Sequence, residues 1–434
     1  MAAIDPRDFL TRAYAAGVAA ADPKRATRQA VASIADLASP IWVLATGKGA
    51  HAMASGASEA LRERKVPIAG GLVVANERDS GATHGLESMV GDHPTPGSSS
   101  FAAAHRLGAI AERTTADSDA IVLVSGGTTS LIAGPVTGIS EQDLQVAFAS
   151  LLASGADIAL MNAVRKRLLR FGAGRLAMAL NCRRVYCLIA SDVIGNDPAS
   201  IASGPCVPDT GTARDARGRA REAGAWDTLP ARVRELIDSM AGGRVPDVPS
   251  ADHPRFASTS VRVILDRTHA ERGAAEVARA LGASVEVLEK PLSGEAAPAG
   301  RRFASDMRSR HRSSLECIIW SGETTVTLGQ AAGRGGRCQE FALACALRLE
   351  EAGPERSSGI TILAAGTDGR DGPTDAAGAI IDATTCERIR EQGIDPPEAL
   401  RIHASYDALQ AGNALLKTGS TGTNVNDLVI AFLP

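Results

Sequence analysis

The 434-residue chain is poor in aromatic residues and has no surplus of positive charge. Phenylalanine, tryptophan and tyrosine make up 3% of it, and its formal net charge is -3 at pH 7. Nucleic-acid-binding proteins usually show a basic surplus, and those that bind single strands also use aromatic side chains on which bases stack. Because the chain has neither, we expect no nucleic-acid partner.

Signatures of export, membrane insertion and structural zinc are also missing. The seven cysteines are odd in number and include no CxxC pair, which argues against a disulfide framework and a zinc site. No apolar run approaches the roughly 18 residues of a membrane helix, and the amino-terminal segment has no apolar core of signal-peptide type. We expect a cytoplasmic protein with reduced thiols and no membrane contact.

Several familiar catalytic motifs are absent as well. The sequence contains no HExxH, no GxSxG and no GxxxxGK[ST]. These absences argue against a zinc protease, a serine hydrolase of the nucleophile-elbow type and a Walker-type NTPase.

Glycine, by contrast, is abundant at 44 residues, and glycine-rich segments follow several short apolar runs. Such runs alternate with helical patterns, which predicts an α/β fold with a parallel, doubly wound sheet in the first half. A segment rich in Gly, Pro and Asp at 241–253 predicts a domain boundary. We assign 1–245 to an N-terminal domain and 255–434 to a smaller C-terminal α/β domain, with the return of the last strand to the first domain left open.

The first glycine loop, Gly47-Lys48-Gly49, lies between an apolar strand and a helix. Its backbone N–H groups and the helix N-terminus would favour an anion, and Lys48 adds a fixed positive charge. The loop also matches GxGxxA, with Glu77 after the next strand as a candidate ribose-binding acid, so a dinucleotide site remains an alternative. A plain tight turn is the third interpretation.

A second glycine loop, Ser125-Gly126-Gly127-Thr128-Thr129, also follows an apolar strand. Paired glycines allow a backbone to approach a ligand, and the hydroxyl groups offer further donors. This pattern predicts a phosphate-binding loop without a lysine of its own.

Two further loops of the first half carry candidate polar groups. Asp192 follows a strand by two residues, and Asn196 lies in the same loop. A carboxylate so placed could hold Mg²⁺ or take a proton from a hydroxyl group, although a simple Asp-Pro turn is the alternative. His93, in GDHPTP, is either a substrate contact or a residue that fixes its own loop.

In the second half, Arg334 and Arg337 lie in a glycine turn at a predicted helix N-terminus, just after Glu323. Because the helix dipole disfavours cations there, we expect these arginines to bind an anion, with solvated arginines as the alternative. The acidic loop 366–379 includes Asp368, Asp371 and Asp375, which suit a hard cation or hydroxyl groups. A solvated Asp-Gly turn is its simpler interpretation.

Taken in order, these motifs resemble the MOFRL-type (class II) glycerate kinases from residue 41 to the end of the chain. The resemblance implies a Rossmann-like N-terminal domain, a smaller C-terminal MOFRL domain and an active site in the cleft between them. It also implies transfer of the γ-phosphoryl group of ATP to D-glycerate with Mg²⁺, commonly at the 2-hydroxyl to give 2-phosphoglycerate. The motifs are TGKGAHAMA, GDHPTPG, SGGTTSLIAGP, NAVRKRL with GAGRLA, SDVIGNDPASIASGP, SGETTVTLG, GRGGRCQE, GTDGRDGPTDAAGA and TGSTGTNVNDL.

By position, the resemblance implies that Lys48 and Arg337 stabilise the transferred phosphoryl group, with the Asp192 carboxylate near the metal or the substrate hydroxyl. The complete expected site is: catalytic Lys48, Arg337 and Asp192; nucleotide-binding or phosphate-binding Gly47, Gly49, Ser125, Gly126, Gly127, Thr128, Thr129 and Asn196; substrate-binding or supporting His93, Glu323, Arg334 and Asp375; metal-binding Asp192 and Asp368.

The chain departs from the pattern of this family at Thr128, Arg167, Ser321 and Cys338, where the family has SGGGSAL, KHLS, SGGE and GRNQE. These departures put the identity of the substrate in question, since another small 2-hydroxy acid is the natural variant. An NAD(P)H-dependent hydroxypyruvate reductase and a non-catalytic sugar-acid binding protein are the alternatives. In each case the expected partner is a small molecule, and a homodimer is an open option.

Overall fold

The computed structural model describes residues 4–78, 85–155, 157–310, 314–328, 333–351, 353, 357 and 359–434. It divides into two compact units, Pro23–Ile264 and a second one formed by Met1–Asp22 together with Leu265–Pro434. These bounds differ from the expected 1–245 and 255–434, since helix α1 (Pro6–Ala20) joins the C-terminal part and the first unit extends further. No helix in the described ranges is long and apolar enough to cross a membrane.

The first unit is built on a six-stranded sheet with the order β3-β2-β1-β4-β5-β6. All described pairings from β3 to β5 are parallel, and this order is that of a doubly wound Rossmann-type sheet, so the predicted fold class is confirmed. The strands are β1 Ile41–Thr46, β2 Ile68–Ala75, β3 Glu87–Val90, β4 Asp119–Val124, β5 Arg184–Ala190 and β6 Thr259–Leu265.

Helices lie between β1 and β2 and in each connection from β3 to β6, since parallel strands need crossover connections. The α-helices described in this unit are α2 Pro23–Ala32, α3 Ala50–Glu63, α4 Ser98–Ala111, α5 Thr128–Leu131, α6 Glu141–Ala153, α7 Ile158–Leu168, α8 Arg175–Ala179, α9 Ala213–Glu222, α10 Ala231–Ala241 and α11 Pro254–Ala257.

The central strands β1 and β4 are buried along their whole length. Strands covered by helices on both faces must be apolar on both, which is why IWVLAT and AIVLV are nearly continuous apolar runs. The chain reverses its direction of progress across the sheet between β1 and β4. Ligands bind at the carboxyl ends of strands at such a switch point, and the loops that leave β1 and β4 are the first two glycine loops.

The second unit is a smaller α/β unit with a mixed sheet of order β11-β10-β9-β12-β8-β7. Only β7 and β8 pair in parallel, and the remaining neighbours are antiparallel. Since β12 lies between β8 and β9, the last strand belongs to this unit. The strands are β7 Ser284–Val287, β8 Glu316–Gly322, β9 Thr361–Gly366, β10 Gly378–Asp382, β11 Leu415–Leu416 and β12 Asp427–Leu433.

Helix α1 belongs to this second unit because its apolar face packs on the sheet. Phe9 and Tyr14 are buried in one cluster with Ile430 and Phe432 of β12, and the Tyr14 hydroxyl donates to the Gly366 carbonyl oxygen at 2.7 Å. The other described α-helices are α12 Arg267–Ala280, α13 Ala296–Ser309, α14 Arg337–Glu350, α15 Thr385–Glu391, α16 Pro396–Arg401 and α17 Ser405–Ala411.

Candidate active site

Three expected site residues of the first unit meet around the glycine pair that follows β4. A β-carbon added to Gly127 would lie 3.0 Å from His93 Cδ2 and 3.6 Å from Lys48 Cγ. One added to Gly126 would lie only 2.0 Å from Asp192 Oδ2. The switch point of the sheet therefore brings a lysine, a histidine and a carboxylate to one backbone segment.

This segment presents free backbone donors. The N–H groups of Gly126, Gly127 and Thr129 have no hydrogen-bond acceptor within the described chain. Gly127 has a left-handed backbone with φ 87°, and such a turn points successive N–H groups to the same side. Three free N–H groups beside Lys48 form a concave donor set of the kind that binds phosphate.

The first glycine loop uses its backbone N–H groups for bonds inside the protein. Its N–H groups are already bonded within the protein: Gly47 donates to the Val74 carbonyl oxygen at 3.1 Å, and Gly49 donates to Ser125 Oγ at 2.9 Å. Lys48 likewise donates its backbone N–H to the carbonyl oxygen of Gly126 at 2.8 Å. These three N–H groups are therefore occupied within the protein, so the Lys48 side chain is the group that this loop has available for an anion, and the phosphate-binding role expected of Gly47 and Gly49 stays a prediction.

The hydroxyl groups of the second loop are also used differently from the expectation. Thr128 is buried, and its Oγ1 donates to the Ser125 carbonyl oxygen at 2.8 Å and lies 3.1 Å from Thr46 Oγ1. Ser125 Oγ accepts the Gly49 N–H at 2.9 Å, and Thr129 Oγ1 lies 3.1 Å from Ser203 Oγ. These hydroxyls join the loops to each other, in addition to any contact with a ligand.

Lys48 and His93 set the electrostatic character of this site. The Lys48 side chain is exposed and makes no ion pair with any residue that the structure describes. Burial, followed by the positive charge of Lys48, lowers the pKa of His93. His93 is therefore neutral at pH 7, and its imidazole can donate or accept a hydrogen bond.

The loop that carries Asp192 and Asn196 has an unusual backbone. Asn196, Ala202 and Ser203 all have positive φ, at 53°, 54° and 60°. Left-handed backbone costs free energy for residues other than glycine, and such strain is concentrated at functional sites. Sequence reasoning missed this feature, because alanine and serine carry no signal for a left-handed backbone.

In the second unit, Arg337 begins α14 and is held by two carboxylates. Its Nε donates to Asp427 Oδ2 at 2.6 Å and its Nη2 to Asp427 Oδ1 at 2.9 Å. Its Nη1 donates to Glu323 Oε1 at 2.7 Å. Burial opposes the charge on Arg337, but the charge and hydrogen bonds of Asp427 together with the charge of Glu323 outweigh burial and raise the pKa of the guanidinium. Three of its five N–H groups are therefore occupied within the protein, and the expected role of Arg337 in binding an anion stays a prediction.

Asp371 caps α14 from the acidic loop. Its Oδ1 accepts the Cys338 N–H at 3.1 Å and its Oδ2 accepts the Gln339 N–H at 2.8 Å. Burial, followed by the negative charge of Asp427, raises the pKa of Asp371 to about 7. From sequence, Asp371 is suited to a cation or to hydroxyl groups but lies outside the complete expected site, and Asp427 is not among the named candidates. The sequence feature that could have identified Asp427 is its position directly before the apolar run of the last strand.

The remaining expected residues of this unit make local contacts. Asp368 Oδ1 accepts the Arg370 N–H at 3.0 Å, as in the turn that was the alternative interpretation. Asp375 accepts from Tyr406 Oη at 2.6 Å and from Lys417 Nζ at 3.0 Å, while the Arg334 guanidinium lies 3.9 Å from the centre of the Tyr406 ring.

No group of three or more potential ligands for a metal ion occurs among the described residues. Mg²⁺ commonly binds through one or two carboxylates together with the phosphates of a substrate, so a single carboxylate beside a phosphate site is the relevant arrangement. Asp192, next to Gly126, has that arrangement. Asp368 is less suited, because one of its oxygens already accepts a backbone N–H.

A Rossmann-type sheet with a lysine, a carboxylate and free N–H groups at its switch point defines an α/β protein that binds a phosphate-bearing ligand. Residues 9–238 match the family described as Domain of unknown function (DUF4147), and residues 316–427 match the MOFRL family. The chain belongs to the MOFRL-type glycerate kinases, as its relatives establish.

The glycerate 2-kinase of Pyrococcus horikoshii is 33% identical to this chain and covers 100% of it and 98% of its own length. The D-glycerate 2-kinase of Thermotoga maritima is 34% identical over 91% of this chain and 90% of its own length. A crystal structure of glycerate kinase from Thermotoga maritima matches with a TM-score of 0.85 at 32% identity, covering 99% of this chain and 100% of that one.

Proposed function

We propose that this protein transfers the γ-phosphoryl group of ATP to the 2-hydroxyl of D-glycerate and forms 2-phosphoglycerate and ADP. The observation that carries the proposal is the set of free N–H groups at Gly126, Gly127 and Thr129 beside Lys48, in a chain whose relatives are glycerate 2-kinases. Phosphoryl transfer depends mainly on positioning and charge neutralisation, which N–H groups and a lysine supply.

The first unit supplies most of the assigned roles. The N–H groups of the second glycine loop bind phosphate oxygens, and Lys48 neutralises charge on the transferred group. The bond between the γ-phosphorus and its bridging oxygen breaks while a bond to the glycerate oxygen forms. Asp192 accepts the proton that this hydroxyl group loses. Neutral His93, beside Gly127, hydrogen-bonds a substrate oxygen.

Arg337 of the second unit is assigned to charge stabilisation as well. Three of its N–H groups bind Asp427 and Glu323, and the other two, one on Nη1 and one on Nη2, have no acceptor within the described residues. Its side chain is 35% exposed, so part of it is accessible to a ligand. Two N–H groups on one guanidinium match two oxygens of one phosphoryl group.

Mg²⁺ is part of the proposal, and Asp192 is the residue that fits it. When bound, Mg²⁺ neutralises the charge on the β- and γ-phosphate oxygens. Asp192 would hold it because the carboxylate lies directly beside the backbone donors assigned to those phosphates.

Two assays run in parallel test the function. Purified protein is incubated with D-glycerate, ATP and Mg²⁺ while 2-phosphoglycerate is measured, and with hydroxypyruvate and NADH while the loss of NADH is followed. We expect product in the first assay only. Turnover in the second assay alone would establish the reductase and refute the proposal, and turnover in neither would favour a binding protein.

A further inference from the structure

Asp427 is an almost completely buried carboxylate whose position is set by the second sheet. It is the first residue of β12 and is 2% exposed. Its register partners on the two neighbouring strands are Gly322 and Gly366. Neither neighbour has a side chain, so the carboxylate has room at the edge where β8 and β9 end.

The buried charge of Asp427 is matched by one side chain. Both of its oxygens accept from Arg337, at 2.6 Å from Nε and 2.9 Å from Nη2. This two-bond arrangement fixes the plane of the guanidinium as well as its place, which a single bond would not do. A lysine has one nitrogen and could not be oriented in the same way.

Asp427 also determines where the two unoccupied N–H groups of Arg337 point. Since Asp427 occupies Nε and Nη2 and Glu323 occupies Nη1, the two remaining N–H groups point in directions that Asp427 determines. The backbone around this pair is fixed too, because the first turn of α14 is capped by Asp371.

We propose that Asp427 is the positioning residue of Arg337, holding the guanidinium so that its two free N–H groups meet an anionic phosphoryl group. The inference rests on the proposed function, in which Arg337 stabilises transferred charge. Asp427 touches neither substrate nor ATP in this role. It acts through Arg337, so its effect depends on that arginine being present.

A double-mutant cycle on kcat tests this dependence. The variants are Arg337→Ala, Asp427→Asn and the double variant. A misplacement of about 1 Å can cost ~100-fold in rate, so we expect Asp427→Asn to lower kcat by roughly 10–100-fold. In the Arg337→Ala background the same change should cost less than about threefold, because residues in contact do not act independently. Equal effects in both backgrounds would overturn the inference.

A matched control and a second variant separate positioning from stability. Asp382 pairs with Arg388 at 3.2 Å at the far end of β10, where its register partner is Thr361, and Asp382→Asn should leave kcat within about twofold of the wild type. Asp427→Glu keeps the charge but displaces the carboxylate. If Asp427→Asn unfolds, a kcat loss in Asp427→Glu that disappears in Arg337→Ala supports the inference, and a loss that persists there refutes it.

The same cycle on ATP affinity distinguishes the two proposals. If the wild-type protein yields no phosphoglycerate, the proposed function fails, and the dissociation constant for ATP is measured by calorimetry for all four proteins. Non-additive losses of affinity would then still support the positioning of Arg337. Additive losses, or none, would refute it whatever the reaction is.

Discussion

Gly126→Ala tests the geometry of the candidate site most directly. The new β-carbon would lie 2.0 Å from Asp192 Oδ2, whereas real contacts of this kind almost never fall below 3.0 Å. The carboxylate would have to move by about 1 Å, and such a displacement of a catalytic group can cost ~100-fold. That factor corresponds to about 2.7 kcal/mol of transition-state stabilisation. Gly126 does not have a positive φ, so alanine is compatible with its backbone.

The assay is steady-state phosphoglycerate formation by three variants. The three heavy atoms nearest to the Gly126 β-carbon are all carboxylate atoms of Asp192, so Asp192→Ala removes the clash. We therefore expect Gly126→Ala to cost about 100-fold alone but less than about threefold in the Asp192→Ala background. Gly218→Ala is the control, because its β-carbon meets nothing within 4 Å in α9 and should leave kcat unchanged. Equal losses in both backgrounds would refute the geometry.

The remaining predictions concern charge and burial. Lys48→Ala should lower kcat by roughly 10³-fold or more with unchanged thermal unfolding, whereas Lys290→Ala, an exposed lysine, should have no effect on steady-state turnover. Because burial and then Asp427 raise the pKa of Asp371 to about 7, the folded state holds that proton more tightly than the unfolded chain does. The free energy of unfolding should thus rise as pH falls from about 7 towards 4, and urea titrations of Asp371→Asn should show a smaller rise. Arg167→Met should lower the free energy of unfolding by about 3–5 kcal/mol in urea titrations at pH 7, since Arg167 is fully buried and pairs with two carboxylates.

The first unit could be predicted from sequence because its physical signals are local. Parallel strands buried on both faces must be apolar runs, and glycines directly after them must be the loops at the carboxyl ends of the sheet. In the second unit the signals are weaker. β10 begins at Gly378, at the end of the polar loop 366–379, and its short GAIID run gave no alternation to recognise. The amphipathic face of α1 fits more than one sheet, so its unit was not determined by sequence.

In the candidate site too, some features follow from local sequence and others do not. Lys48 and Asp192 could be placed at one edge of the sheet because each closely follows an apolar run, whereas His93 follows β3, whose short ESMV sequence does not indicate a buried strand. The hydrogen bond from the Gly49 N–H to Ser125 Oγ joins residues 76 positions apart, and no local sequence pattern predicts it. The pairing of Arg337 with Asp427 spans 90 positions. Sequence spacing thus identified the loops, whereas the free and the occupied donors within them depended on the tertiary fold.

The four residues that depart from the family pattern share one structural feature, which is burial. Thr128, Arg167, Ser321 and Cys338 are each at most 2% exposed, so none presents its side chain where a ligand would enter. Thr128 Oγ1 donates to the Ser125 carbonyl oxygen within the second glycine loop, and Ser321 Oγ donates to the buried Glu271 carboxylate. Burial raises the pKa of the Cys338 thiol, which therefore stays neutral beside Arg337. A change of substrate caused by these substitutions would therefore have to arise from displaced backbone and not from altered contacting side chains.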